Sequence, residues 1–402
     1  MLKCKYAWSH LDFLQGEYAP CFRYKIKRQP IASMSDTLPS EAVNHPNMLA
    51  VRNSLIRGEF PAGCEDCQYK EENGVKSYRQ KSLNNKHWDD SSIDYTTPVS
   101  TGVLDLELKF SRTCNYFCRH CMADSNSQFE QLGKKNTDIH KMLLRAGFDH
   151  IGPADSPIQT ITPEQLEDII QNIIQGVNRI TFSGGEPLYH IGHYRFLERL
   201  ISEPDIDTSK LTIAYNTNMS MIEFKSYKLS DLWSHFGGVD LTVSMDGTHE
   251  LFNYFRQGGD YNQVVDNLFK ILTASNNILG VYLVCTSTAY HAFYASETFR
   301  DLNKLVDQIQ GMGIPAHTDA TFVHYPAGLD IANLPYNVKS FLTELHGSDN
   351  PIIKYMQTPQ TADADAELFK TIVRQQDQLY FKTCEEMLPR ITDYVYNNKL
   401  IS

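Results

Sequence analysis

The chain has 402 residues, of which 42% are apolar and 21% charged, and it carries a net charge of −11. That length calls for two or more domains around a substantial core, and the acidic balance argues against broad, nonspecific nucleic-acid binding, which needs a basic face. No run approaches the roughly 20 apolar residues of a membrane span, and the residues after Met1-Leu2-Lys3-Cys4-Lys5 lack the apolar core of a signal peptide.

Residues 1–70 form a short cysteine-bearing segment, and 71–100 are polar enough to be a linker or a wrap-around connection. Nine cysteines in a chain with no signal favour a reducing compartment, where clustered thiols mean metal or catalysis. The expected setting is the cytoplasm, with no membrane partner. From 101 to 335 apolar, β-rich runs recur: Leu104–Phe110, Arg179–Phe182, Leu211–Tyr215, Val239–Val243, Val281–Thr286 and Thr321–Tyr325. Helical periodicity fills most of the gaps. One helix is marked by Thr162 as N-cap, Pro163 at the first position and Gln165 closing a capping box, ahead of Leu166, Ile169, Ile170, Ile173 and Ile174.

Strands alternating with helices predict an α/β fold with a parallel sheet. Six strands suggest a partial (β/α)6 barrel. A closed eight-stranded barrel is disfavoured, because residues 336–402 look helical throughout: three or four helices, with clusters such as Leu368, Ile372 and Val373, then Leu379, Tyr380 and Phe381. This tail is expected to pack on the open edge of the barrel. A long polar insertion between Cys121 and Thr162 is expected to hold a helix over 138–146 and a break at Gly152-Pro153.

The chemistry concentrates at strand ends. Cys114, Cys118 and Cys121 lie in a C-x3-C-x2-C run directly after the first of these strands. Three such thiolates can hold three irons of a [4Fe–4S] cluster and leave the fourth open to a small molecule; a structural zinc, with His120 as a further ligand, and unliganded thiols are the alternatives. Ser183-Gly184-Gly185-Glu186-Pro187 follows the second strand, Asn216-Thr217-Asn218 the third, and Ser244-Met245-Asp246-Gly247 closes the fourth, with Arg256 beyond. Carboxyl ends of parallel strands are where such sheets bind ligands. Gly184 and Gly185 let backbone carbonyls approach an amine, Glu186 accepts from an ammonium, Ser244 donates a hydroxyl and Arg256 grips a carboxylate. An amino-acid-like ligand would suit them. Tyr215, Asn216, Cys285, Thr286, His324 and Tyr325 are candidates to face a substrate, against the plainer reading of core or scaffold; Cys384 is read as an incidental buried thiol.

Through CNYFCRHC, FSGGEP, YNTN and VSMDG followed by NYFR, residues 104–330 resemble the radical S-adenosylmethionine enzymes. The resemblance implies that Cys114, Cys118 and Cys121 bind a [4Fe–4S] cluster whose open iron is chelated by the methionine moiety of S-adenosylmethionine. It places Gly184, Gly185 and Glu186 at the cofactor's amino group and Ser244 and Arg256 at its carboxylate or ribose. Asn216 joins the cofactor-binding set, and Phe117 lies near the adenine. The implied reaction is reductive cleavage of the cofactor, by an electron from a donor such as flavodoxin or ferredoxin, and hydrogen abstraction from a substrate by the 5′-deoxyadenosyl radical.

Cys4, then Gly16-x4-Cys21, then Cys64-x2-Cys67 resemble the twitch and SPASM modules that hold auxiliary clusters in peptide-modifying radical enzymes. In those families the module usually follows the barrel, whereas here it precedes it. The resemblance implies an auxiliary [4Fe–4S] cluster on these four thiols, with zinc as the competitor, and a peptide or protein substrate that is oxidised or cross-linked. A small metabolite or nucleotide as substrate, and a noncatalytic protein stapled by metal, are the alternatives.

Overall fold

The computed structural model describes residues 1–84, 91–121, 125–129, 141, 160–359, 366–380 and 382–400. The helix expected over 138–146, the Gly152-Pro153 break and Phe381 lie outside them, Lys141 apart. The fold is α/β with mostly parallel strands, as the alternation predicts. Its residues divide into two compact units: 1–111, 156–215 and 232–239 in the first, and 112–155, 216–231 and 240–402 in the second. Strands are numbered in chain order.

In the first unit, β1 (His10–Leu14) pairs in parallel with β4 (Asp105–Lys109), and β4 with β6 (Arg179–Ser183). β6 pairs in parallel with β7 (Thr212–Thr217). β2 (Glu17–Ala19) and β3 (Ala32–Ser33) extend the other side of β1 as antiparallel neighbours. Leu106, Leu108, Ile180, Phe182 and Ile213 are all buried on these strands. The N-terminal segment is thereby woven into the same sheet as the first core strand. Arg52 staples it: fully buried, its guanidinium donates to the carbonyls of Ala7, Val43 and Pro98 and to Asn44 Oδ1. The predicted capping box forms, Gln165 N donating to Thr162 Oγ1 at 3.2 Å and Thr162 N to Gln165 Oε1 at 2.9 Å. Gln165 Nε2 also reaches the Met34 carbonyl at 2.6 Å, fixing the helix to the N-terminal hairpin.

The second unit holds the short pair β5 (Phe117–Cys118) and β11 (Arg256–Gln257), the hairpin β8 (Glu223–Phe224) and β9 (Tyr227–Lys228), β10 (Gly238–Ser244) from Asp240 onward, and β12 (Ile278–Ser287) with β13 (Ala316–Phe322). The last strand is a correction. An apolar run placed it at Thr321–Tyr325, but it starts at Ala316 and ends at Phe322. Its pairing runs from Val281↔Ala316 to Ser287↔Phe322 in parallel register. Backbone pairing, not side-chain hydrophobicity, selects the polar residues His317 to Asp319 as strand.

The tail has five described helices where three or four were expected: Tyr336–His346, Pro351–Met356, Ala366–Leu379, Cys384–Met387 and Pro389–Tyr396. Leu342, Ile352, Ile372, Val373, Ile391 and Val395 close over Leu251, Phe255, Tyr290 and Phe293 in one buried cluster. No helix among the described residues is long and apolar enough to cross a membrane.

His193 is packed fully buried against Phe182 and Tyr194, with Nε2 bonded to Tyr215 Oη at 2.8 Å. Burial pushes its pKa down to about 3. The unfolded chain takes up this proton below the ordinary value near 6.5, while the folded one does not, so stability is lost as pH falls through that range. Urea unfolding of wild type and His193→Phe should therefore differ in slope. Between pH 7 and pH 5 the wild type should lose about 2 kcal/mol more than the variant; parallel curves would contradict the assignment.

Candidate functional site

In the second unit the cysteine loop is held from three sides. β5 pairs antiparallel with β11, which sets Cys118 opposite Arg256 and Phe117 opposite Gln257. Gly258 and Gly259 allow the approach. Gly258 has φ +91°, a Cβ there would stand 3.3 Å from the Asn115 carbonyl, and one on Gly259 would stand 3.0 Å from the Tyr116 ring. On the second side Asn115 Nδ2 donates to Ser220 Oγ and Asn218 Nδ2 donates to Asn115 Oδ1, both at 2.9 Å. Within the Asn216-Thr217-Asn218 motif it is thus Asn218 that touches the loop. Asn216 is exposed on its strand.

The third side comes from the tail. Gln376 Nε2 donates to the Arg119 carbonyl at 2.7 Å, and Arg119 pairs with Asp377 at 3.2 Å and donates to the Lys382 carbonyl. Its guanidinium lies 3.6 Å from the Tyr254 ring centre and 4.4 Å from that of Tyr380. Phe117 stacks between Phe129 and Tyr380, at 4.1 and 4.9 Å between ring centres.

Arg256 and Asp246 are both buried, at 6% and 0% exposure. Arg256 Nε and Nη2 each lie 2.9 Å from Asp246 Oδ2, while Thr286 N donates to Oδ1 at 2.7 Å. The carboxylate is held below its ordinary pKa and the guanidinium above its own, because each charge outweighs the other's desolvation. Ser244, half-buried, ends β10 beside them in sequence. Cys118 is buried, and burial drives its thiol well up. Arg256 opposes that shift, and Cys121, Asp246 and Cys114 add to it. The three thiols therefore share one electrostatic environment. His120 stacks on Phe255 at 5.1 Å and lies 3.8 Å from Asp246.

The candidate substrate-facing residues divide. Tyr215 and Cys285 are buried, Tyr215 Oη taking the Trp233 indole N–H at 3.1 Å. His324 and Tyr325 are exposed beyond β13, His324 Nδ1 meeting Tyr355 Oη at 2.8 Å. Cys384 is buried in the tail, as read.

The first unit carries the glycine motif and the four remaining cysteines of interest. Gly184 has φ +107°, and a Cβ would come within 2.9 Å of the Ser111 carbonyl, so only glycine fits. Gly185 N donates to the same carbonyl at 3.1 Å. Glu186 is buried and accepts from Leu188 N at 3.0 Å.

Cys4, Cys21, Cys64 and Cys67 converge. Burial raises the Cys4 thiol to about 12, with Cys67 adding and Arg79 opposing; Cys21 responds to Cys4, Cys64 and Cys67, and Cys64 to Cys4 and Cys67. Cys67 lies in the first turn of the helix Glu65–Glu72. Arg79 is held by Glu71 and the Lys3 carbonyl. It sits in a stretch whose polarity marked it only as a linker, so sequence reasoning missed it. Among the described residues, no three sulfurs of either cysteine set lie within 4.8 Å of one another.

Three thiols on one loop, set against a buried Arg–Asp pair, form a donor set that can hold a metal cluster. The Radical SAM superfamily profile matches residues 108–287, from within β4 to the end of β12. The match marks residues 108–287 as a radical SAM domain, and that superfamily implies a [4Fe–4S] cluster and S-adenosylmethionine. Among solved structures, anSMEcpe with bound AdoMet and the Kp18Cys peptide is similar at 15% identity and TM-score 0.35, over 74% of this chain and 68% of that one. A tagged form of anSMEcpe with AdoMet has the same identity and TM-score, and there the match spans 60% of that chain. SuiB of Streptococcus suis bound to its precursor peptide SuiA is similar at 13% identity and TM-score 0.36, over 96% of this chain and 78% of that one. No curated protein sequence matches the chain.

Removing Asp246 would leave the Arg256 charge buried without its partner, which costs roughly 3–5 kcal/mol. Asp246→Ala should lower the unfolding free energy in urea by that order, and a loss under 1 kcal/mol would show that the pair is not structural.

Proposed function

We propose that Cys114, Cys118 and Cys121 hold the catalytic [4Fe–4S] cluster of this radical SAM enzyme, and that Cys4, Cys21, Cys64 and Cys67 hold an auxiliary one. The observation that carries the first assignment is the β5–β11 pairing, which fixes the three-thiol loop against the buried Arg256–Asp246 pair. The donor sets suit iron–sulfur: three thiols leave the fourth iron of a [4Fe–4S] cluster open to a cofactor, and four thiols close one.

When bound, the cluster and S-adenosylmethionine supply a 5′-deoxyadenosyl radical on receipt of one electron from a flavodoxin- or ferredoxin-type donor. The chain's own residues bind and orient. Gly184 and Gly185 present bare backbone to the cofactor's ammonium and Glu186 supplies an anionic acceptor. Arg256, Ser244 and Asn216 serve its carboxylate and ribose, and Phe117 offers a ring to its adenine. Arg79 offsets thiolate charge at the auxiliary site. The substrate is a peptide or protein that is oxidised or cross-linked, a reading supported by the four convergent cysteines of the N-terminal segment.

Anaerobic reconstitution should load about eight irons per chain, and the Cys114→Ala, Cys118→Ala, Cys121→Ala triple variant about four. Dithionite with S-adenosylmethionine should release 5′-deoxyadenosine from wild type and none from the triple variant, whose N-terminal chromophore stays. Cofactor cleavage by the triple variant would overturn the catalytic assignment. A wild-type content near four irons would overturn the auxiliary one.

A further inference from the structure

Residues two apart on a strand share a face, and on β1 and β4 that face is charged. His10 and Asp12 stand in register with Asp105 and Glu107, and Lys109 follows on β4. These side chains are 2%, 0%, 11%, 10% and 21% exposed in that order. Three buried carboxylates thus face Lys109 and, through Asp105, His10, and their oxygens outnumber the donors that meet them. Lys109 Nζ bonds Asp12 Oδ1 and lies 3.1 Å from Glu107 Oε1, which also accepts from Ser183 Oγ at 2.6 Å. Asp12 Oδ2 is buried and meets no hydrogen-bond donor, and the same holds for Asp105 Oδ1.

The chemistry of the set is that of metal ligands. One nitrogen of His10 and one oxygen each of Asp12 and Glu107 all lie within 4.8 Å of one another. Asp105 Oδ2 sits 2.6 Å from His10 Nδ1, the carboxylate–imidazole pairing that orients metal-bound histidines. One imidazole with two carboxylates suits divalent first-row ions such as Mn²⁺ and Fe²⁺.

We propose that His10, Asp12 and Glu107 form a divalent-cation site separate from both cysteine sets, with Lys109 as the internal cation that the ion displaces. Lys109 is the most exposed of the five side chains, so its ammonium has a route outward. Three protein ligands leave coordination positions open to an oxygen donor. The site adjoins the cofactor motif through Ser183, the residue before Gly184, and a Cβ on Gly184 would meet Lys109 Cβ at 3.4 Å.

The test uses the full chain, loaded anaerobically with iron and sulfide, exchanged into metal-free buffer and titrated with MnCl₂. Free Mn²⁺ is read by EPR, and iron and sulfide are counted in parallel. Wild type should bind one Mn²⁺ per chain. Asp12→Asn and Glu107→Gln should weaken binding by roughly tenfold or more, and Lys109→Met should strengthen it, with iron and sulfide unchanged. The gain in Lys109→Met keeps the test decisive even where a carboxamide variant fails to fold. No binding by wild type overturns the proposal, as does binding that the carboxamide variants leave intact or that Lys109→Met fails to strengthen.

Discussion

The second unit depends on one buried ion pair. Arg256 and Asp246 are removed from water, a state tolerated only when charges are paired and further hydrogen-bonded. Both conditions hold, since the Thr286 N–H takes the second oxygen of Asp246. The pair ties the end of β10 to the end of β12 and to β11, and β11 lies against the cysteine loop. Cys118 therefore stands opposite one half of an ion pair whose two members hold each other in place. Glycines at 258 and 259 and the Asn115–Asn218 contact are further holds on the same loop.

In the first unit a different force dominates. Parallel pairing of β1 with β4 brings the N-terminal segment into register with the strand that leads to the cysteine loop. Tyr6 follows Cys4 closely in the chain, and its ring meets His10 edge-on at 5.3 Å. Burial and the nearby Asp105, Cys21, Cys4 and Glu107 all raise the Tyr6 phenol. This ring thus stands in the fields of both the four-thiol cluster and the charged face of β1 and β4.

Much of this was legible in the sequence, for physical reasons. Strand ends were visible because apolar runs stop at glycine, asparagine and cysteine, and the capping box at Thr162 is a purely local signal. Positions fixed by pairing were not. The polar start of β13 follows from its register with β12, and nothing in its own composition marks it. Asn218 rather than Asn216 meets the cysteine loop because the chain turns after β7, with Met219 at φ +52°. Arg79 and Gln376 act through backbone carbonyls and distant thiols, contacts that no local pattern encodes.

The clamp on the cysteine loop has a consequence for the order of events on the ribosome. Every thiol of the N-terminal set, and Arg79 with it, has emerged once the first eighty residues are made. The 114–121 loop must wait for Gln376, Asp377 and the Lys382 carbonyl, some 260 positions later. Chains grow from the N-terminus at roughly 5–20 residues per second, so the two thiol sets reach their final surroundings many seconds apart.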